Sequence, residues 1–118
     1  MIKIFGIKNC DTMKKAFKWL DANGLEYTFH DYRKDGINEP MVKTFVDQLG
    51  LDLVLNTRGT TWRKLPEDIK ANLDEGGAIK LLCENEAMIK RPIFDLGESY
   101  AIGFSRKDQE VLEDKLLK

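Results

Sequence analysis

Cysteine and histidine are scarce in this chain: its 118 residues include two cysteines and one histidine. Cys10 and Cys83 lie far apart, and together with His30 they form no group that has the spacing of zinc ligands. We therefore expect no metal site. At this length a single domain buries enough apolar surface to fold without metal or disulfide staples.

Long apolar runs and an excess of one charge are also missing. No segment approaches the roughly 20 apolar residues of a membrane span, and Lys3 and Lys8 interrupt the N-terminal run that a signal peptide would need. Basic and acidic side chains nearly balance, with a net charge of -1, so neither a nucleic-acid nor a membrane partner is indicated. We expect a cytoplasmic protein, because that reducing compartment keeps thiols free.

The first third of the chain has the pattern of a β-α-β unit. Residues 2–7 are typical of a central strand, and apolar side chains then recur at helical spacing until Asn23-Gly24. Residues 26–30 are rich in strand-forming side chains. Because a helix connects the two predicted strands, we expect them to pair in parallel with a right-handed crossover.

The middle third favours helices. One is predicted to begin near Pro40 and to end at Gly50, and an irregular segment follows at residues 51–64. Gly76-Gly77 is expected to separate two later helical segments. The middle of the chain is therefore predicted to be a helical insertion in an α/β sheet.

The last third returns to strand character at residues 92–95 and again near residues 100–104, which predicts a hairpin. Ser105 then caps a final helix, with Asp108 in the capping-box position. Three apolar residues of this helix are expected to face the core: Val111, Leu112 and Leu116.

Cys10 is the strongest candidate for chemistry. It follows the first strand and opens the first helix, where unpaired backbone N–H groups and the helix dipole favour a thiolate. Met13 occupies the place of the second thiol of a Cys-x-x-Cys pair. A nucleophilic Cys10 would thus need either Cys83 or a small-molecule thiol for turnover. The alternative interpretations are a buried apolar role for Cys10 and a core role for Cys83.

Two arginines are candidates for binding an anion. Arg91 stands before Pro92, which opens a strand, and its planar fork suits an anion; the alternative is a surface arginine. Arg58 lies in residues 56–63, which could present hydroxyl and guanidinium donors to an oxyanion or a carboxylate. That segment is alternatively a loop fixed by its tryptophan. His30 is interpreted as structural, because no acidic or thiol partner can be assigned to it.

Four segments, in order along the chain, resemble motifs of the glutaredoxin-coupled arsenate reductase (ArsC-like) superfamily. They are FGIKNCDTMKKA (residues 5–16), HDYRKDG (30–36), NTRGTTWRKL (56–65) and IKRPI (89–93). The chain looks most like the bacterial branch called YffB, and the regulator Spx is a more distant branch. The resemblance implies an α/β, thioredoxin-like fold as one domain over residues 1–118, with a helical insertion at about 38–88. It also implies a cis peptide before Pro92.

The same resemblance implies a function. In the arsenate enzymes a cysteine attacks arsenate, arginines hold the oxyanion, and glutathione and glutaredoxin complete the reaction. Cys10 and Arg91 match the nucleophile and the arginine before the cis proline. However, Asn56 stands where those enzymes have an arginine after a paired leucine. The departure argues against arsenate reduction, and the resemblance to the YffB branch implies a glutathione-dependent thiol reductase.

In that interpretation four residues bind glutathione or another anion: Asn9, Arg58, Arg91 and Pro92. Glutathione is then the co-substrate, glutaredoxin is a further partner, and a monomer is expected. Two alternatives stay open. One is a genuine arsenate reductase, and the other is an Spx-like regulator that docks on RNA polymerase and uses cysteine chemistry only as a switch.

Overall fold

The computed structural model of the chain describes residues 2–118. The described residues up to Gly36 and those from Arg91 to Lys118 form one compact unit, and Ile37–Lys90 form a second. The expectation of one domain with an insertion at residues 38–88 stays a prediction. Within residues 2–118, none of the helices combines the length and the apolar character that a membrane crossing requires.

The strands and helices of the described residues are named in chain order. The strands are β1 (Ile2–Gly6), β2 (Tyr27–Asp31), β3 (Ile93–Asp95) and β4 (Tyr100–Ile102). The helices are α1 (Asp11–Ala22), α2 (Tyr32–Asp35), α3 (Glu39–Leu49), α4 (Leu51–Val54), α5 (Thr60–Arg63), α6 (Glu67–Ala71), α7 (Glu75–Glu84) and α8 (Arg106–Leu116). A single 3₁₀ turn spans Glu86–Met88.

The first unit is built on a four-stranded sheet in the order β2-β1-β3-β4. β1 pairs with β2 in parallel, as α1 between them requires, and with β3 antiparallel. β3 and β4 form the predicted hairpin. The mixed sheet with its helices is a thioredoxin-like α/β fold, which confirms the fold class expected from the sequence.

The core of the first unit forms where α1 and α8 contribute side chains to the same cluster as the sheet. Met13, Ala16 and Leu20 recur at helical spacing along α1 and are fully buried with Ile4 and Phe94. Each fully buried side chain of the size of Leu, Ile, Met or Phe adds about 1.5–3 kcal/mol relative to an exposed one. This packing fixes α1 against the sheet and so fixes the residue at its start.

For the final helix, the predicted capping box is confirmed, but the prediction that Val111 faces the core is wrong. Ser105 Oγ accepts a hydrogen bond from the Asp108 N–H (3.1 Å), and the Asp108 carboxylate accepts from the Ser105 N–H (3.1 Å), so the capping box is present. Leu112 is buried in the core, but Val111 is 45% exposed. The expectation for Val111 was wrong because neighbouring residues of a helix point about 100° apart.

The second unit consists of helices with one isolated bridge, between Leu55 and Ile89. The predicted helix is present as α3, and Gly50 follows its last residue with φ of 92°, which a residue with a side chain rarely adopts. The expected break at Gly76-Gly77 was wrong. Both glycines lie in the first turn of α7, where the Gly77 N–H donates to the Asp74 side chain at 2.7 Å and the cap starts the helix.

Candidate active site

Cys10 lies at the junction between the sheet and α1. A short bend after β1 leads to it, and it is the N-cap residue of α1, with extended backbone angles (φ -141°, ψ 128°). Its carbonyl oxygen accepts the first helical hydrogen bond, from the Lys14 N–H at 3.0 Å. The thiol is free and half-buried. Cys10 is therefore held at the positive end of the helix dipole, as the sequence predicts.

Opposing influences act on the Cys10 thiol. Partial burial, the largest of them, raises its pKa. The N–H of Met13, a hydrogen bond from the Arg91 side chain, the charge of Arg91 and the N–H of Thr12 all lower it, and together they outweigh burial. The thiol makes no regular capping hydrogen bond, so the two amides act as nearby dipoles. The pKa of Cys10 lies below its ordinary value, which favours the nucleophilic thiolate.

Arg91 and Pro92 reach the same edge of the sheet from β3. The Arg91–Pro92 peptide bond is cis, as the resemblance implies. Ile93 lies opposite Phe5 in the antiparallel β1–β3 pair, so the residues just before Ile93 meet the residues that follow β1. Pro92 is buried, and its carbonyl accepts from the Gly103 N–H at 2.8 Å. The fold thus brings Cys10, Arg91 and Pro92 together.

The other two candidate anion ligands are placed differently. Asn9 is exposed in the bend directly before Cys10. Arg58 belongs to the second unit, where it is exposed and its N–H donates to the Asn56 side chain at 3.2 Å. In that unit the Lys70 Nζ lies 5.4 Å from the centre of the Trp62 ring. The ligand roles of Asn9 and Arg58 stay predictions.

Met13 is a core residue in this structure. It is fully buried, and a Cβ atom placed on Gly6 would lie 2.5 Å from the Met13 Sδ. The absence of a side chain at Gly6 is thus what lets Met13 pack against the end of β1. The position that would carry the second thiol of a Cys-x-x-Cys pair is filled by an unreactive side chain, which leaves Cys10 as a single thiol in this turn.

Cys83 and His30 have surroundings that suit structural roles. Burial raises the pKa of the Cys83 thiol, and the charges of Glu39 and Glu84 raise it further, which disfavours the thiolate. The His30 Nε2 lies 2.8 Å from the Gly36 carbonyl oxygen, and its ring is 5.4 Å from that of Phe5. Across residues 2–118, no three His, Cys, Asp or Glu side chains converge in a way that could hold a metal ion.

Tyr32 is a residue that sequence reasoning did not single out. It directly follows β2, is 3% exposed, and lies close enough to Arg91 for the guanidinium charge to act on its phenol. Burial raises the pKa of Tyr32 well above its ordinary value, so the phenol is neutral. The sequence does contain one signal for Tyr32. It directly follows the second strand of the predicted parallel pair, and sites in such sheets lie at the carboxyl ends of the strands.

A family model described as the ArsC family matches residues 5–112 of the chain. The chain belongs to the ArsC family. A solved structure of a YffB protein superposes on it with a TM-score of 0.86 and 43% identity, covering 94% of this chain and 97% of that one. An arsenate reductase (ArsC) related protein from Brucella melitensis gives a TM-score of 0.78 at 42% identity, covering 93% and 92%.

Two further relatives, one more similar to this chain and one less similar, match over most of its length. A protein of Haemophilus influenzae is 44% identical over 110 residues, which span 93% of this chain and 96% of that protein. At greater distance, the global transcriptional regulator Spx of Staphylococcus saprophyticus is 24% identical over 110 residues, or 92% and 83% of the two chains. The resemblance inferred from the sequence is confirmed, with Spx as its more distant branch.

Proposed function

We propose that this ArsC-family protein is a glutathione-dependent thiol reductase with Cys10 as its single nucleophile. The observation that carries the proposal is the pairing of the Cys10 sulfur with the Arg91 side chain at the start of α1. A lowered thiol pKa and partial exposure are the two properties of a reactive cysteine. The contrast with Cys83, whose pKa is raised, supports Cys10 as the reacting thiol.

The proposed reaction proceeds by two thiol–disulfide exchanges. The Cys10 thiolate attacks the glutathione sulfur of a mixed disulfide, forms a Cys10–glutathione disulfide and expels the substrate thiolate, which takes a proton from water. The thiolate of a second glutathione then attacks the glutathione sulfur bound to Cys10. Glutathione disulfide leaves and the Cys10 thiolate is restored. In sum, the mixed disulfide and one free glutathione give the substrate thiol and glutathione disulfide, so the free glutathione is the reductant.

Met13 supports this monothiol route. A dithiol reductase resolves its mixed disulfide with a second cysteine, most simply one three residues further on. Because Met13 fills that position and is buried, the resolving thiol has to come from elsewhere, and external glutathione meets that need.

The glutathione site in this proposal draws on the predicted ligands. Arg91 would engage a glutathione carboxylate through its planar guanidinium group, and the carboxylate-binding role of Arg58 stays a prediction from its side-chain chemistry. Asn9 and the backbone before Pro92 would position the glutathione peptide beside Cys10. These roles follow from the chemistry of the side chains and from the resemblance to the arsenate enzymes.

The test is glutathione-dependent reduction of a glutathionylated model disulfide, with glutathione reductase and NADPH to report the glutathione disulfide formed. We expect turnover by the unmodified protein and by Cys83→Ala, and none above background by Cys10→Ser. Equal rates for the unmodified protein and Cys10→Ser would reject the proposal. Arsenate offered in place of the disulfide, with glutaredoxin added, tests the arsenate reductase alternative on the same proteins.

The similarity to Spx supports a second candidate, a regulator that binds RNA polymerase. Its test is a pull-down with the C-terminal domain of the polymerase α subunit. Binding that is retained by Cys10→Ser, together with no glutathione-dependent turnover, would favour the regulator. The absence of binding together with turnover would leave the reductase.

A further inference from the structure

The second unit contains a groove beside the starts of α3 and α7, which pack against each other. Each helix buries one apolar face: Val42, Phe45 and Val46 on α3, and Ala78, Ile79 and Leu82 on α7. The groove is lined by the first two turns of both helices and has a volume of about 460 Å³. Pockets that bind small organic molecules usually measure about 300–1,000 Å³. The groove therefore has the size of a ligand site.

The wall of the groove is mostly apolar. Pro40 of α3 and Ile79 of α7 contribute apolar surface to it. Gly76 also lines the groove, and a Cβ atom placed on this glycine would have no neighbour closer than the Asp74 Oδ1 at 3.9 Å. The space beside Gly76 is thus open. An open apolar wall of this kind favours contact with the apolar part of a ligand, because the contact removes both surfaces from water.

The charged side chains that line the groove leave it negative. They are Glu39, Lys43 and Glu75, and all three are exposed. Lys43 forms an ion pair with Asp47, with its Nζ 3.1 Å from the carboxylate, so its positive charge is compensated within α3. Among residues 2–118, neither Glu39 nor Glu75 takes part in an ion pair. Two uncompensated carboxylates, one from each helix, therefore line an apolar groove.

The two helix starts do not reverse the sign of this charge. The Met41 N–H donates to the Asn38 side chain at 2.9 Å. The Gly77 N–H likewise donates to the Asp74 side chain at 2.7 Å, so both helices have capped amides that are not free to bind an anion. Each helix start adds about half a positive charge, which is less than the full negative charge of the glutamate in its first turn. The groove therefore favours a cation over an anion.

We propose that the groove between α3 and α7 binds a small organic cation that consists of an apolar body and an amine. The apolar body contacts Pro40 and Ile79, and the ammonium group lies beside Glu39 and Glu75. Apolar contact supplies most of the affinity, because exposed ion pairs are weak. The two carboxylates supply the selectivity for positive charge. No residue of this site belongs to the candidate glutathione site, so the proposal does not rest on the reductase activity.

The test is a titration of the full chain, followed by amide NMR, with three probes of the same shape and different charge. The probes are 4-phenylbutylamine, 4-phenylbutanol and 4-phenylbutanoate. We expect the amine to shift the amide resonances of residues 39–43 and 75–79, with a dissociation constant on the order of millimolar for a molecule of this size. The alcohol should shift the same resonances with lower affinity, and the carboxylate should bind most weakly.

Variants separate the two parts of the site. Glu39→Gln and Glu75→Gln should each weaken binding of the amine about two- to fivefold, the range for exposed ion pairs, and should leave binding of the alcohol unchanged. The matched control is Glu98→Gln, because Glu98 is exposed in the turn between β3 and β4. Gly76→Leu keeps both carboxylates and adds a side chain where the groove is open, so it should weaken the amine and the alcohol alike.

Three results would overturn the inference. One is binding of the amine and the carboxylate with equal affinity, or no shift at residues 39–43 and 75–79 with any probe. The second is amine binding that is unchanged in Gly76→Leu and in both glutamine variants. The third is movement of the same resonances when the protein alone is diluted, because this would assign the groove to a second copy of the chain.

Discussion

The Arg91 side chain donates a hydrogen bond to the sulfur of Cys10, although the two residues lie far apart in the sequence. The antiparallel pairing of β1 with β3 brings them together, because Phe5 lies opposite Ile93. A planar cation beside a thiol at a helix start is an arrangement that stabilises negative charge on sulfur. The same arrangement offers a guanidinium group to an incoming anionic partner.

Arg91→Gln is the direct test of this pairing. A charge-assisted hydrogen bond is lost, so we expect the thiolate fraction of Cys10 at pH 7 to fall about tenfold, the lower end for such bonds. The measurement is the pH profile of Cys10 alkylation. Arg106→Gln is the control, because Arg106 is exposed at the start of α8. An unchanged profile in Arg91→Gln would show that the helix start alone activates Cys10.

The two cysteines should affect stability in opposite directions as the pH rises. Folding lowers the pKa of Cys10, so between that lowered pKa and the unfolded value of about 8.5 the unfolded chain binds more protons. The stabilisation from Cys10 is therefore present above the unfolded pKa and is lost as the pH falls through the folded pKa. We expect the free energy of unfolding of the unmodified protein, relative to Cys10→Ser, to increase across this range in urea titrations.

Cys83 gives the reverse sign. Folding raises its pKa, so the unfolded chain loses its proton first, and the stabilisation is lost as the pH rises from the unfolded value toward the folded one. Relative to Cys83→Ala, the unmodified protein should become less stable above about pH 8.5. The same slope for both cysteines would contradict the assignment of one reactive and one inert thiol.

Gly6→Ala should destabilise the protein, because the new Cβ would lie 2.5 Å from the Met13 Sδ in a fully buried contact. We expect a loss of about 1–3 kcal/mol, the usual cost of overpacking a core. Urea unfolding measures it. Gly76→Ala is the matched control. A Cβ atom placed on Gly76, in the first turn of α7, would lie 3.9 Å from the Asp74 Oδ1, which is an ordinary van der Waals contact. A loss in Gly76→Ala as large as that in Gly6→Ala would contradict the account of Met13 packing.

The sequence predicts features that depend on local chemistry. Cys10 could be placed at a helix start because an apolar strand precedes it and helical spacing follows. The capping box at Ser105 could be predicted because its two partners are three residues apart. The cis peptide at Pro92 was accessible through the resemblance to a family, since local preference alone favours trans.

Other features depend on tertiary structure and escaped prediction. Tyr32 belongs beside Arg91 only because β1 and β2 are parallel in a particular register, which no local pattern specifies. The apolar character of Val111 predicts a core position, but its place one residue before the buried Leu112 turns it to solvent. Two adjacent glycines predict a break, but the Asp74 side chain accepts a hydrogen bond from the Gly77 N–H and caps the turn that contains both glycines.

The central claim is that Cys10 alone forms the mixed disulfide that glutathione resolves. The most direct measurement is peptide mass mapping of the reduced protein after brief exposure to glutathione disulfide at neutral pH, and again after addition of glutathione. We expect one glutathione on the peptide that contains Cys10, none on the peptide that contains Cys83, and removal of the adduct by added glutathione. An adduct on Cys83 instead of Cys10, or an adduct on Cys10 that glutathione does not remove, would contradict the account.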